Sequence, residues 1–115
     1  MYDLNKTEII RSKKDFNRVY SKGNSFAVRD MVIYVLKDNS CNGKVGFAAG
    51  TKLGCAVVRN RVKRLLRETF RLCKKDIRRD CAIILVGRKN LIDKKLDSAL
   101  KAFRILCKRA NLNLR

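Results

Sequence analysis

The arginine and lysine side chains between positions 56 and 75 are the clearest candidates for a functional site in this sequence. As a helix of about 100° per residue, this segment gathers its apolar side chains into one arc of roughly 120°. This arc holds Val58, Val62, Leu65, Leu66, Thr69, Leu72 and Cys73. Most of the opposite arc is cationic and holds Arg59, Lys63, Arg64, Arg67, Arg71, Lys74 and Lys75. Arg61 falls near the edge of the apolar arc, and Phe70 falls on the polar side. A cationic helix face of this kind is suited to binding phosphate groups.

The cations of this segment recur at a spacing of four, as in Arg59 with Lys63 and Lys63 with Arg67. On a helix these pairs are like-charged neighbours, and each pair costs about 0.2–0.5 kcal/mol. An ordinary solvated face alternates the signs of its charges instead. A cationic helix lying on a membrane is a further alternative, but this one lacks Trp and its apolar arc is needed for the core. Bound phosphates of a nucleic acid explain the pattern better than either alternative.

Other kinds of chemical site are not indicated by the sequence. The chain has no histidine, which removes histidine-based zinc sites and histidine acid–base catalysis. Its acids form no spaced carboxylate motif of the kind that a metal-dependent nuclease needs. Gly46, Gly50 and Gly54 lie near Lys52 without the spacing of a phosphate-binding P-loop. We therefore predict no catalytic residues and no metal ligands in this chain.

The overall composition supports a nucleic-acid partner. The 115 residues suffice for one small domain, taken as residues 1–115, and carry a formal net charge of +19. Such a surface repels itself, and a polyanion relieves that repulsion. The sequence shows neither a signal peptide nor an apolar run of the roughly 18 residues that a membrane span needs. The five cysteines show no CxxC spacing, so we expect free thiols and a cytoplasmic protein that does not contact a membrane.

The order of predicted elements is αβββαβα, an α+β sandwich with a four-stranded mixed sheet. A first helix follows Ser12 and ends at Gly23, and a basic helix extends from about Cys55 to Lys75. A last helix is predicted from about Asp93 to Ala110. The predicted strands are 25–29, 31–37, 44–49 and 81–86, with a turn at 38–43. The second and third strands are expected to pair as a hairpin. The third and fourth strands flank the basic helix and have the spacing of a βαβ crossover.

The basic segment resembles the bacterial ribonuclease P protein family. That family carries an Arg-Asn-Arg motif within a stretch similar to GNAVxRNRxKRxxRE, and residues 54–68 of this chain read GCAVVRNRVKRLLRE. The resemblance extends to the first helix around residues 13–23, to the strands at 31–36 and 44–49, and to residues 80–88, which read DCAIILVGR. The chain departs from the family at Cys55, where the family has Asn. It departs also in the loop before the motif, where only Lys52 matches the expected lysines.

The resemblance implies a division of labour between protein and RNA. The catalytic centre of such an enzyme lies in an RNA subunit that uses Mg²⁺, and the protein is a non-catalytic accessory that binds no cofactor of its own. The expected partners are the ribonuclease P RNA and precursor tRNA, with one monomer of protein bound to one RNA. The family fold also implies a left-handed βαβ crossover, against the usual rule.

The resemblance also implies two sets of binding residues. Those expected to contact the RNA subunit are Lys52, Arg59, Asn60, Arg61, Lys63, Arg64 and Arg67. A cleft between the first helix and the sheet should hold the 5′ leader of precursor tRNA, lined by Phe16, Tyr20 and Tyr34. Stacking of bases on aromatic rings tolerates many leader sequences, although Phe16 could equally be a core residue. Two other functions remain open, a structural RNA-binding protein such as a ribosomal component and a protein that coats DNA.

Overall fold

The computed structural model describes residues 8–37 and 42–113, in which three helices and four strands follow one another in the predicted order. The elements are α1 (Lys13–Lys22), β1 (Asn24–Ala27), β2 (Met31–Leu36), β3 (Val45–Ala49), α2 (Ala56–Cys73), β4 (Ala82–Gly87) and α3 (Leu96–Arg109). Of the predicted turn at 38–43, residues 38–41 lie outside the described part of the chain. The mixed α+β architecture is confirmed.

The four strands form one sheet in the order β1-β2-β4-β3. β4 pairs antiparallel with β2 and parallel with β3, so the connection through α2 is the predicted βαβ crossover. The predicted hairpin between β2 and β3 is wrong, because β4 lies between them. The physical reason is the apolar sequence of β4, since side chains on both of its faces are buried and a central position satisfies both. The left hand of the crossover stays a prediction.

Two helix boundaries follow from local backbone chemistry. At the start of α1 the Ser12 hydroxyl accepts a hydrogen bond from the Asp15 amide at 3.4 Å, as the sequence predicted. The last helix begins at Leu96 rather than at Asp93. Asp93 has a φ of 69°, which no helical residue adopts, and it follows a short 3₁₀ turn at Lys89–Leu91.

The sheet separates two apolar clusters that hold the helices in place. α2 and α3 pack on one face over Ile33, Ile83 and Leu85. α1 packs on the other face, where Val19 contacts the smaller cluster that contains Ile84. The helices α1 and α2 therefore lie on opposite sides of the sheet.

The apolar arc of α2 is rotated from its predicted position. Phe70, expected on the polar side, is only 1% exposed. Its ring packs edge-on against Phe47 of β3 at 6.2 Å and Phe103 of α3 at 6.3 Å. Leu72, expected in the apolar arc, is 37% exposed. The rotation arises because α2 must cover both the edge strand β3 and the neighbouring helix α3.

The position of α2 on the sheet depends on Gly87, at the end of β4. A Cβ atom there would lie 2.3 Å from the Val62 Cγ1 atom. We expect Gly87→Ala to lower the free energy of unfolding by about 1–3 kcal/mol, because α2 must shift outward. Gly50→Ala is the matched control, since a Cβ at Gly50 meets no heavy atom within 4 Å. Equal midpoints for the two variants in urea denaturation would contradict this packing.

Candidate nucleic-acid interface

The segment that leads into α2 positions the first cations of the basic helix. A 3₁₀ turn, Thr51–Leu53, carries the exposed Lys52, and Gly54 follows with a φ of 138°, in the region that favours glycine. The Arg59 Nε donates a hydrogen bond to the Gly54 carbonyl oxygen at 3.3 Å. Arg59 thus folds back toward the entry loop and ties it to the first turn of α2.

The structure brings all seven residues of the predicted RNA-subunit set onto α2 and its entry turn. We call this set the α2 basic surface: Lys52, Arg59, Asn60, Arg61, Lys63, Arg64 and Arg67. The side chains of Asn60, Arg61, Arg64 and Arg67 are exposed, and Arg59 and Lys63 are half-buried. The Arg67 guanidinium lies over the Phe47 ring, 5.7 Å from its centroid. This cation–π contact positions the charge of Arg67 and leaves it exposed to solvent.

The cations at the other end of α2 differ, because they are paired with acids. Arg71 forms a bidentate ion pair with Glu68, and its hydrogen bond holds the pKa of the Glu68 carboxyl below its usual value. Lys74 lies 3.0 Å from Glu8, which also contacts Arg79 at 2.9 Å. The cations of this helix and its entry turn whose described contacts include no acid are therefore those of the α2 basic surface, from Lys52 to Arg67.

The three predicted cleft residues also lie together, on the opposite face of the sheet. The Phe16 and Tyr20 ring centroids are 6.5 Å apart with nearly parallel planes, and those of Tyr20 and Tyr34 are 4.6 Å apart. We call these three residues the ring cluster. Tyr20 is 51% exposed, so the cluster presents an aromatic face to solvent. Burial raises the pKa of the Tyr34 phenol, and a hydrogen bond with Tyr20 raises it further.

Phe16 forms the floor of the ring cluster. A Cβ atom on Gly46 would lie 3.0 Å from the Phe16 ring, so this glycine in β3 makes room for the aromatic side chain. Phe16 is half-buried and packs with the cluster that contains Val19 and Ile84. Phe16 therefore contributes to the core, and its ring also lies beside that of Tyr20; a role in a leader-binding cleft stays a prediction.

Cys55 is an exposed free cysteine that the sequence analysis noted only as a departure from the family motif. It is the exposed N-cap residue of α2, and the nearby backbone amides of Val58 and Val57 lower the pKa of its thiol. Burial has the opposite effect on Cys73, Cys81 and Cys107, and raises the pKa of Cys107 to about 12. Among the four cysteines of the described segments, Cys55 is the one whose thiol pKa is lowered.

This difference predicts the pH dependence of alkylation. The thiolate is the nucleophile, and a lowered pKa keeps Cys55 deprotonated to lower pH. Its alkylation by iodoacetamide should fall off only at a pH below the inflection shown by a short cysteine peptide. Peptide mapping by mass spectrometry in a Cys41→Ser background should find Cys55 modified well before Cys73. An inflection at or above that of the peptide would contradict the assignment.

The described segments contain neither a cluster of metal ligands nor a helix that could span a membrane. No three His, Cys, Asp or Glu side chains in residues 8–37 and 42–113 lie close enough together to bind a metal ion. None of the helices in these segments is both long and apolar enough to cross a membrane.

Comparisons with known proteins agree with the fold. Residues 4–111 match the model of the Ribonuclease P family. The chain is 34% identical over 113 residues to the ribonuclease P protein component of Clostridioides difficile, covering 97% of this chain and 99% of the relative. The structure superposes on the RNase P protein of Staphylococcus aureus with a TM-score of 0.80 and 31% identity, covering 92% and 97% of the two chains. The RNase P protein of Thermotoga maritima gives a TM-score of 0.75 and 28% identity, covering 89% of this chain and 96% of the other.

Proposed function

Because this chain belongs to the ribonuclease P protein family, we propose that it is the protein subunit of a ribonucleoprotein that removes the 5′ leader from precursor tRNA. The observation that carries this proposal is the conjunction of two facts. The family match spans residues 4–111, and Arg61, Arg64 and Arg67 of the segment that resembles the family motif are exposed on α2. Membership of the family implies a role in tRNA 5′ processing.

The α2 basic surface is the proposed contact with the catalytic RNA. Arg61, Arg64 and Arg67 expose guanidinium groups, and such groups form paired hydrogen bonds with phosphate oxygens. RNA phosphates would relieve the like-charge repulsion along the helix and release condensed counterions. Arg59 has a second role, since its bond to Gly54 shapes the loop that carries Lys52.

The ring cluster is the proposed site for the leader of precursor tRNA. Its aromatic faces offer stacking surfaces for unpaired bases, which suits leaders of many sequences. It lies across the sheet from α2, because α1 and α2 pack on opposite faces. The chain can therefore bind the RNA subunit and the leader at the same time without competition between them.

The chemistry of phosphodiester hydrolysis is assigned to the RNA subunit and the Mg²⁺ that it binds. Under this proposal the protein itself carries out no step of the hydrolysis. The chain is proposed to act as a monomeric accessory in a one-to-one complex with the RNA, in the cytoplasm, where tRNA is made.

A binding experiment separates this proposal from a general RNA-binding or DNA-coating protein. The protein is titrated at physiological salt into a bacterial ribonuclease P RNA, a ribosomal RNA fragment of equal length, and duplex DNA. We expect preference for the ribonuclease P RNA by about tenfold or more, since non-specific binding rests on charge alone. The complex should saturate at one protein per RNA. Equal affinity for the three nucleic acids would contradict the proposal and would indicate a general polyanion-binding protein.

A further inference from the structure

The outer face of α3 carries a second set of cations, separate from the α2 basic surface. Lys101, Arg104 and Lys108 follow one another at spacings of three and four, so they share one exposed stripe. Within the described segments no carboxylate oxygen lies within 4.0 Å of their charged nitrogens. One acid, Asp97, precedes Lys101 by a helical turn. The stripe thus repeats the unfavourable like-charge spacing that distinguishes α2.

A groove extends this stripe toward the turn between β1 and β2. It has a volume of about 270 Å³ and is lined by Arg29 from the turn and by Lys94 and Lys101 from the α3 side. Asp30 also lines it, but its carboxylate already accepts a hydrogen bond from the Asn90 amide. Ile105 lies in the groove wall and is 43% exposed. The α3 basic surface consists of Arg29, Lys94, Lys101, Arg104 and Lys108.

We propose that the α3 basic surface is a second RNA-binding surface that contacts the phosphate backbone of the ribonuclease P RNA. This inference rests on the proposed function, which places the chain against a large folded RNA. α2 and α3 pack side by side on the same face of the sheet, with Phe70 against Phe103 between them. Both helices therefore cover the same side of the sheet, and a large folded RNA can contact both.

RNA phosphates suit this surface better than other anionic partners do. Protein interfaces rely on aromatic anchors, and helices that lie on membranes present a broad apolar face. The α3 basic surface has no aromatic residue, and Ile105 is its one large exposed apolar side chain among the described residues. Lys and Arg donors without apolar anchors match a phosphate backbone.

The test measures the affinity for ribonuclease P RNA as a function of salt. The variant carries Lys101→Gln, Arg104→Gln and Lys108→Gln. The matched control removes three exposed cations from α1, on the other face of the sheet, as Lys13→Gln, Lys14→Gln and Lys22→Gln. Because Arg104 has a hydrogen bond with the Cys73 thiol, a second variant with only Lys101→Gln and Lys108→Gln guards against a folding defect, checked by thermal melting.

We expect the triple α3 variant to bind about tenfold or more weakly, and its log–log salt slope to fall by roughly two to three units, one per lost phosphate contact. The α1 control should retain the wild-type slope. An α3 variant that behaves as the control, or that loses only binding to anionic phosphatidylglycerol vesicles, overturns the inference. A parallel α2 variant separates the two proposals, because loss of RNA binding there alone leaves the proposed function intact.

Discussion

Replacing Arg61, Arg64 and Arg67 together with glutamine is expected to weaken binding of the ribonuclease P RNA by about 100-fold or more. The three side chains are exposed on α2, and a hydrogen bond between charged groups contributes roughly 1.5–3 kcal/mol. Three such contacts at the lower value contribute more than the ~2.7 kcal/mol that corresponds to a 100-fold change in the dissociation constant. Filter binding or fluorescence titration at fixed salt measures the loss. Arg59 is left unchanged, because its bond to Gly54 shapes the entry to the helix.

The control for this substitution is the triple α1 variant, which removes the same amount of charge on the opposite face of the sheet. It should bind the RNA subunit within a few-fold of the wild type. The α2 variant should melt within a few degrees of the wild type, because relief of like-charge repulsion along the helix offsets the loss of the contact between Arg67 and Phe47. Equal losses of affinity in the two variants would mean that net charge, and not the α2 basic surface, determines binding.

Truncating the ring cluster is expected to weaken binding of precursor tRNA only when a 5′ leader is present. Stacking of one base on an aromatic ring contributes about 1–3 kcal/mol. The double variant Tyr20→Ala, Tyr34→Ala should therefore bind leader-containing precursor tRNA roughly 10- to 100-fold more weakly than the wild type. Binding of mature tRNA by the assembled enzyme should not change. Tyr20 is half-exposed, so its truncation removes little core packing. Phe16 is retained because it packs against Gly46.

Tyr34→Phe is the matched control, since it keeps the ring and removes the hydroxyl that hydrogen bonds with Tyr20. If stacking dominates, this variant should bind leader-containing precursor nearly as well as the wild type. A loss as large as that of the alanine variant would assign the interaction to the hydroxyl. Equal weakening for substrates with and without a leader would rule out the ring cluster as the leader site.

The elements of this fold follow from local pattern, and the pairing of its strands does not. The 3.6-residue period of α2 and its cationic face can be read within a single segment, and the helix was found where it was predicted. The hairpin between β2 and β3 was wrong because adjacency depends on where β4 inserts, and β4 lies far along the chain. Phe70 was misplaced for the same reason, because Phe47 and Phe103 come from elements remote in sequence.

Some residues of the candidate site can likewise be predicted from local sequence, and others come together only in the tertiary fold. The cations of α2 are recognisable from spacing alone. The meeting of Tyr20 with Tyr34 depends on α1 lying over β2, which no local pattern specifies and which the family resemblance anticipated. The α3 basic surface was missed although Lys101, Arg104 and Lys108 carry the same like-charge signal as α2. Its remaining members, Arg29 and Lys94, join the stripe only through the tertiary fold.

Cleavage of precursor tRNA at physiological Mg²⁺, by a bacterial ribonuclease P RNA with and without this protein, tests the central claim most directly. The proposed function predicts that the protein alone is inert, that the RNA alone cleaves poorly, and that the two together cleave efficiently at the mature 5′ end. Cleavage by the protein alone would contradict an accessory role. Absence of stimulation with the cognate RNA would contradict the assignment to the ribonuclease P holoenzyme.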